Sequence, residues 1–115
     1  MTLEELRHEM ASCRKSSDDM ASSLKDPHFT LVRLNNFYRN LDTAARQLAN
    51  HILAEWALSE DENLRFDALG LIDDLNVRTA VPALETLAAC LAMEHSPGAP
   101  YELKKMWRII ARFKA

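Results

Sequence analysis

Residues that break secondary structure are rare in this chain, and their scarcity constrains the fold more than any other feature. Two glycines and four prolines are spread over 115 residues. Ala, Leu, Glu, Arg and Met dominate the sequence between them, and these residues favour helices. No segment alternates apolar and polar residues with the period of two that a half-buried strand requires. The sequence therefore predicts an all-α fold.

Capping signals and apolar spacing divide the chain into about five helices. Thr2 and Glu5 have the spacing of a capping box at the start of the first helix, and Ser59 and Glu62 repeat it before the third. Asp42 could begin a new helix within residues 26–57, so this range could form one helix or two. A continuous or slightly kinked helix is favoured, because neither Gly nor Pro interrupts the chain between Pro27 and Ser59. With 48% apolar residues, the chain can form a core as one domain covering residues 1–115.

The C-terminal half continues the helical pattern. Asn76 suits the left-handed residue after the third helix, Thr79 is a plausible cap for the fourth, and residues 95–100 form a loop before the last helix. The inward stripe of that last helix is expected to contain Leu103, Met106, Trp107, Ile110 and Phe113.

One helix–turn–helix segment is more specific than the rest. Its first helix carries Leu64, Ala68, Leu69, Ile72 and Leu75, and the joint Asp74…Arg78-x-Ala80-Val81-Pro82-Ala83-Leu84 leads into a second apolar helix. Residues 64–91 resemble a HEAT-type helical repeat, the variety also seen in phycobilin-lyase-like proteins. The resemblance implies an antiparallel, right-handed HEAT-like stack or α–α superhelix over about residues 48–113, capped by the N-terminal helix. A plain five-helix bundle containing a repeat-like turn is the alternative.

The sequence argues against most kinds of chemistry. Glycine occurs only at positions 70 and 98, so a Gly-rich phosphate loop is excluded. Glu5 with His8, and His51 with Glu55, are candidate ligand pairs on single helical faces, but a carboxylate-bridged di-iron site would need a second Glu-x-x-His pair. A metal- or ligand-binding helical enzyme using these residues is the weaker alternative. We therefore expect no catalytic residue, no metal site, no cofactor and no small-molecule ligand.

Charge is distributed unevenly. Seven acidic residues and one basic residue lie between Glu55 and Asp74, whereas Lys104 to Ala115 contains five basic residues and no acidic one. Two solvated faces that partly neutralise each other would explain this pattern, and so would an acidic docking surface for a basic protein partner. The candidate partner-binding residues are Glu55, Glu60, Asp61, Glu62, Phe66, Asp67, Asp73 and Asp74. Phe66 is included because it lies outside the stripe of Leu64, Ala68 and Ile72, where an aromatic side chain could contact a partner or pack against a neighbouring repeat.

These features favour a non-catalytic protein–protein interaction module. A bacterial toxin-neutralising immunity protein, or another cognate inhibitor of a basic partner, is one hypothesis, and an adaptor or regulatory subunit is another. The net charge of −3 argues against nucleic-acid binding, although the last helix offers a third alternative. No apolar run approaches the roughly 18–20 residues that span a bilayer. With no signal-peptide pattern, the cytoplasm is the expected location, and the two cysteines are expected to be buried hydrophobes.

Overall fold

The computed structural model describes residues 1–26, 28–94 and 97–115, and the all-α prediction is confirmed over these ranges. They contain six α-helices and one short 3₁₀ turn at Arg78–Ala80, with no strand. The helices are α1 (Leu3–Leu24), α2 (Phe29–Arg39), α3 (Thr43–Ala57), α4 (Glu62–Asp74), α5 (Val81–Leu91) and α6 (Ala99–Lys114).

The chain packs as two compact units, residues Met1–Ile52 and Leu53–Ala115, and the boundary falls inside α3. In the first unit α1 packs along α2. The predicted capping box at Thr2 and Glu5 is present. Ser17 lies on the apolar stripe of α1, where it is fully buried and its hydroxyl donates to the Cys13 carbonyl at 2.6 Å. The tyrosine of α2, Tyr38, donates to the Asn50 side chain of α3 at 2.7 Å.

The prediction of a continuous helix over residues 26–57 is wrong. Helix α2 ends at Arg39 and α3 begins at Thr43. The Asp42 carboxylate accepts from the Ala45 N–H at 2.8 Å, which caps the new helix. The guanidinium of Arg46 reaches back and donates to the Arg39 carbonyl at 2.6 Å. These two side chains satisfy backbone groups that a break would otherwise leave unpaired, so the helix can stop without Gly or Pro.

In the second unit, three helices lie side by side. Helix α5 packs along α6, and Lys114 at the end of α6 forms an ion pair with Glu85 near the start of α5, so the two are antiparallel. Helices α4 and α6 are parallel, because Arg65 pairs with Glu102 and Asp73 pairs with Arg112 farther along both helices. The apolar core of these helices includes Ala68, Leu71, Ile72, Leu84, Leu87, Ala88, Leu91, Met106, Ile109, Ile110 and Phe113.

The structure of the connection between α4 and α5 agrees in part with the prediction made from the sequence. Asn76 adopts the expected left-handed conformation, with φ of 55°, and Pro82 lies in the first turn of α5. Thr79, however, is not the cap of α5, because a 3₁₀ turn over Arg78–Ala80 leads directly into that helix. Leu84 is fully buried, as expected for the first core position after the joint.

Three other expectations need correction or fall outside the described residues. Asp61, not Ser59, caps α4, with its carboxylate accepting from the Asn63 and Leu64 N–H groups at 2.9 and 3.3 Å. Cys90 is exposed and Cys13 is only half-buried. The expected loop at 95–100 ends earlier than predicted, since α6 already begins at Ala99, while His95 and Ser96 lie outside the described residues.

Candidate interaction surface on helices α4 and α6

A buried ion pair fixes the spacing between α4 and α6. Arg65 is 5% exposed, and its Nε and Nη2 donate to the two carboxylate oxygens of Glu102 at 2.8 and 3.1 Å. Its Nη1 also donates to the Ser59 and Glu60 carbonyls. Hydrogen bonding to Glu102 raises the pKa of Arg65. A buried charge with this many partners is held in one geometry, so the two helices present a defined surface.

Phe66 and Lys105 lie on the solvent side of this ion pair. Phe66 is 56% exposed, and the Lys105 Nζ lies 4.4 Å from the centre of its ring, within the range of a cation–π contact. Burial lowers the pKa of Lys105, because a partly dehydrated ammonium loses favourable interactions with water. The charge of Lys105 is therefore held against an aromatic face and is only partly hydrated.

An open groove of about 370 Å³ lies between the two helices. Its apolar lining comes from Phe66, Leu69 and Tyr101, and charged groups of Glu62, Glu102 and Lys105 border it. Tyr101 is 85% exposed. Two large aromatic side chains therefore face solvent beside a concave apolar surface, an arrangement typical of binding sites.

A second hollow of about 490 Å³ adjoins this groove. It is lined by Tyr101, Lys104, Lys105 and Arg108, so the two depressions share Tyr101 and Lys105. The four residues are spaced along α6 so that they fall on one helical face. This surface is basic, whereas the groove has carboxylates on its border.

The structure separates the residues predicted to bind a partner into two groups at opposite ends of α4 and others between them. Glu62 and Phe66 line the groove, and Glu60 is exposed just before α4. Asp73 and Asp74 lie at the opposite end of α4, roughly 18 Å from Glu62 by helical rise. The predicted residues therefore do not form one continuous acidic patch.

Several of these carboxylates already have partners within the chain. Asp61 caps α4, and Asp73 accepts from Arg112 at 2.6 Å. Glu55 and Asp67 are half-buried and each has an interaction within the chain. Glu60, Glu62 and Asp74 remain exposed, and two of these three lie at the groove end of α4. The exposed acidic surface next to the groove is therefore smaller than the sequence suggested.

Sequence reasoning missed the contribution of α6. Trp107 was expected in the core but is 51% exposed, because Met106, Ile109, Ile110 and Phe113 supply the buried stripe instead. The sequence analysis also assigned no role to Arg65, which precedes Ala68 and Leu69 by three and four residues and so shares their buried face. That spacing is the available signal, although arginine is rarely buried.

The residues considered for a metal site lie elsewhere. The Glu5 carboxylate accepts from the Thr2 N–H at 3.2 Å, and this side chain and backbone bonding to Thr2 lowers the pKa of Glu5. His8 and His51 are exposed. Across residues 1–26, 28–94 and 97–115, no group of three or more His, Cys, Asp or Glu side chains is arranged to hold a metal ion.

Comparisons with known proteins add no relative to this picture. The chain matches no family model, no curated protein and no solved structure. Within the described part of the chain, none of the helices combines the length and apolar character needed to cross a membrane.

Proposed function

We propose that the chain is a non-catalytic protein-binding module that engages its partner through the groove between α4 and α6. The observation that carries this proposal is the exposure of Phe66 and Tyr101, at 56% and 85%, on the walls of an open apolar groove. Aromatic residues, phenylalanine included, are enriched in the cores of protein interfaces, and tyrosine is among the residue types that most often anchor them. An apolar side chain of the partner would contact Phe66, Leu69 and Tyr101.

The surroundings of the groove support a protein ligand. The ion pair between Arg65 and Glu102 fixes the helices on both sides, so little ordering is needed when a partner binds. Glu60 and Glu62 are exposed at the start of α4 and would attract a basic side chain of the partner. This retains the hypothesis of a basic contact, although it rests on two carboxylates and not on the eight residues first considered.

The same proposal includes the HEAT-like arrangement. Consecutive helices α4, α5 and α6 alternate in direction, and the joint before α5 has a left-handed Asn76 followed by Pro82. Stacked helical pairs of this kind present surfaces for other proteins. We include cognate inhibitors, such as toxin-neutralising immunity proteins, and adaptor subunits in the proposed class. An inhibitor would abolish an activity of the captured partner when added in equimolar amount, whereas an adaptor would leave it intact.

Site-specific photocrosslinking tests the groove as the contact surface. A benzoylphenylalanine placed at position 66 should crosslink one discrete protein in cells of the native host. The same probe at position 89, an exposed alanine of α5, should not crosslink that protein. Crosslinks that are identical at the two positions, or absent at position 66, would contradict the proposal.

Charge reversal then tests the acidic end of the groove. The double variant Glu60→Lys, Glu62→Lys should weaken capture of the crosslinked partner by roughly tenfold or more, because reversed rim charges slow association. Asp61 is left unchanged, since its carboxylate caps α4. The variant Glu9→Lys, Asp19→Lys reverses two exposed charges on α1 and serves as the matched control. Equal losses in both variants would show that only net charge matters.

A further inference from the structure

Three cations on α6 have no carboxylate within ion-pair distance among the residues that the structure describes. Arg112 and Lys114 form ion pairs with Asp73 and Glu85. Lys104, Lys105 and Arg108 form no ion pair with any of the described residues. The whole chain carries a net charge of −3, so the sign of this basic cluster is opposite to that of the chain.

Lys105 is the least hydrated of the three. The residue is half-buried, and its ammonium lies over the Phe66 ring. Burial is the main cause of its lowered pKa; Arg108 adds repulsion, and the more distant carboxylates of Asp73, Asp74 and Glu102 offset part of the effect. A cation that has lost water without gaining a direct counterion is stabilised when an anion binds beside it. The basic hollow therefore favours an anionic ligand on physical grounds.

Nearby residues restrict what that anion can be. The adjoining groove carries Glu62 and Glu102 on its border. A nucleic acid would place a row of phosphates along the surface, and some of them would face these carboxylates. Three cations with acidic neighbours, on an acidic chain, are unfavourable for such a polymer. A single carboxylate beside an apolar group matches the surface, because Tyr101 and Lys105 belong to both depressions.

We propose that the basic hollow formed by Tyr101, Lys104, Lys105 and Arg108 receives an acidic side chain of the protein partner, adjacent to the apolar side chain that occupies the groove. This inference rests on the proposed function and specifies the partner further. The contact segment is then not uniformly basic. It carries an apolar anchor next to at least one Asp or Glu, and a basic residue is expected only at the Glu62 end.

The spacing of the site limits the length of the segment. Tyr101 and Arg108 are separated by seven positions, or about 10 Å along α6. An extended segment spans this distance with about three residues, and a helical segment with about two turns. The anchor and the acidic residue are therefore no more than about three residues apart in an extended segment of the partner, or about two turns apart in a helical one.

Amide chemical-shift titration of the full chain tests the acidic contact. The probe is a capped hexapeptide with a central phenylalanine–leucine pair and two glutamates on each side. It should shift the amide resonances of residues 101–108, and at saturation the pKa of Lys105, followed through its ¹³Cε shift, should rise. A peptide with glutamine in place of every glutamate should bind roughly tenfold more weakly.

Charge-reversed variants of the protein complete the test. Lys104→Glu, Arg108→Glu should abolish the shifts, whereas Lys15→Glu, Arg78→Glu, which reverses two exposed charges outside the hollow, should retain them. The inference is overturned if the glutamate peptide leaves residues 101–108 unshifted at millimolar concentration. It is also overturned if inorganic phosphate or a thymidine oligonucleotide displaces the peptide, which would indicate a general anion site or a nucleic-acid site.

The two proposals fail in different ways. Equal binding of the glutamine and glutamate peptides would remove the acidic contact while leaving the apolar groove as a protein site. Loss of the crosslink at position 66 would remove the groove as the native interface, whatever the peptides do.

Discussion

At the scale of single residues, the ion pair between Arg65 and Glu102 should dominate the stability of the α4–α6 surface. Removing one partner leaves a buried charge unpaired, so Glu102→Gln should lower the free energy of unfolding by about 2–3 kcal/mol and Arg65→Ala by about 3–5 kcal/mol. The control is Asp73→Asn, which breaks a more exposed pair with Arg112 and should cost less than about 1 kcal/mol. Urea denaturation followed by circular dichroism measures all three. Similar losses for Glu102→Gln and Asp73→Asn would show that burial does not strengthen the first pair.

The charge of Lys105 should lower the free energy of unfolding of the chain, although it favours the binding of an acidic ligand. Burial lowers the pKa of Lys105 in the folded state, so the charged form is less favourable there than in the unfolded chain. The native state is therefore destabilised at pH values below the folded pKa, and the deficit disappears as pH rises to the ordinary value of 10.5. Lys105→Met keeps the aliphatic contact with Phe66 and removes the charge.

We expect Lys105→Met to raise the free energy of unfolding at pH 7 and to weaken binding of the glutamate hexapeptide. The gain in stability should diminish as the pH approaches 10.5, the ordinary lysine value. Urea denaturation at several pH values checks the first effect, and chemical-shift titration checks the second. A variant that is less stable at pH 7 would mean that the cation–π contact outweighs the cost of burial.

At the scale of helices, the sequence predicted the helix ends that depend on neighbouring residues and missed those that depend on several side chains acting together. The Thr2 capping box and the left-handed Asn76 need only their immediate neighbours, and both are confirmed. The break between α2 and α3 needs Asp42 at one helix start and Arg46 folding back over the preceding helix end. No Gly or Pro marks that break, so the spacing of apolar residues alone favoured one helix.

The same distinction between local and long-range contacts explains which residues of the candidate site were predicted. Glu62 and Phe66 were identified from the acidic segment and from the position of Phe66 outside the apolar stripe, and both line the groove. The alignment of α4 beside α6 depends on a contact between residues 37 positions apart. Periodicity within one helix cannot reveal such a contact, and the sequence therefore did not bring Tyr101 and Lys105 to the same surface.

The cap of α3 can be tested directly. Asp42→Ala removes the acceptor of the Ala45 N–H and should lower the free energy of unfolding by about 1 kcal/mol. Asn40→Ala, in the same connection and also exposed, is the matched control and should change stability by less than about 0.5 kcal/mol. Thermal and urea unfolding give the values. An unchanged free energy in Asp42→Ala would mean that Arg46 alone maintains the break.

At the scale of the whole molecule, burial is distributed unequally between the two units. Helix α1 has three buried residues in 22, whereas α5 has four in 11 and α6 has five in 16. Local opening is easier where fewer apolar contacts must be broken. A surface that binds with little reordering is better placed on the densely packed helices, and the groove and the basic hollow both lie in the Leu53–Ala115 unit.

Native-state hydrogen exchange should therefore rank the helices. We expect amides in the middle of α5 and α6 to exchange with the highest opening free energies, and those of α1 to exchange faster by roughly tenfold or more, since each 1.4 kcal/mol of opening free energy changes the rate tenfold. A variant of the buried Ser17 tests the ranking within α1. Ser17→Ala leaves the apolar stripe of α1 intact but removes the hydrogen bond to the Cys13 carbonyl. It should alter hydrogen exchange in α1 and leave exchange in α6 unchanged. Protection in α1 equal to that in α5 and α6 would show that the number of buried residues in a helix does not determine its opening free energy. The helices that line the groove would then be no more rigid than α1.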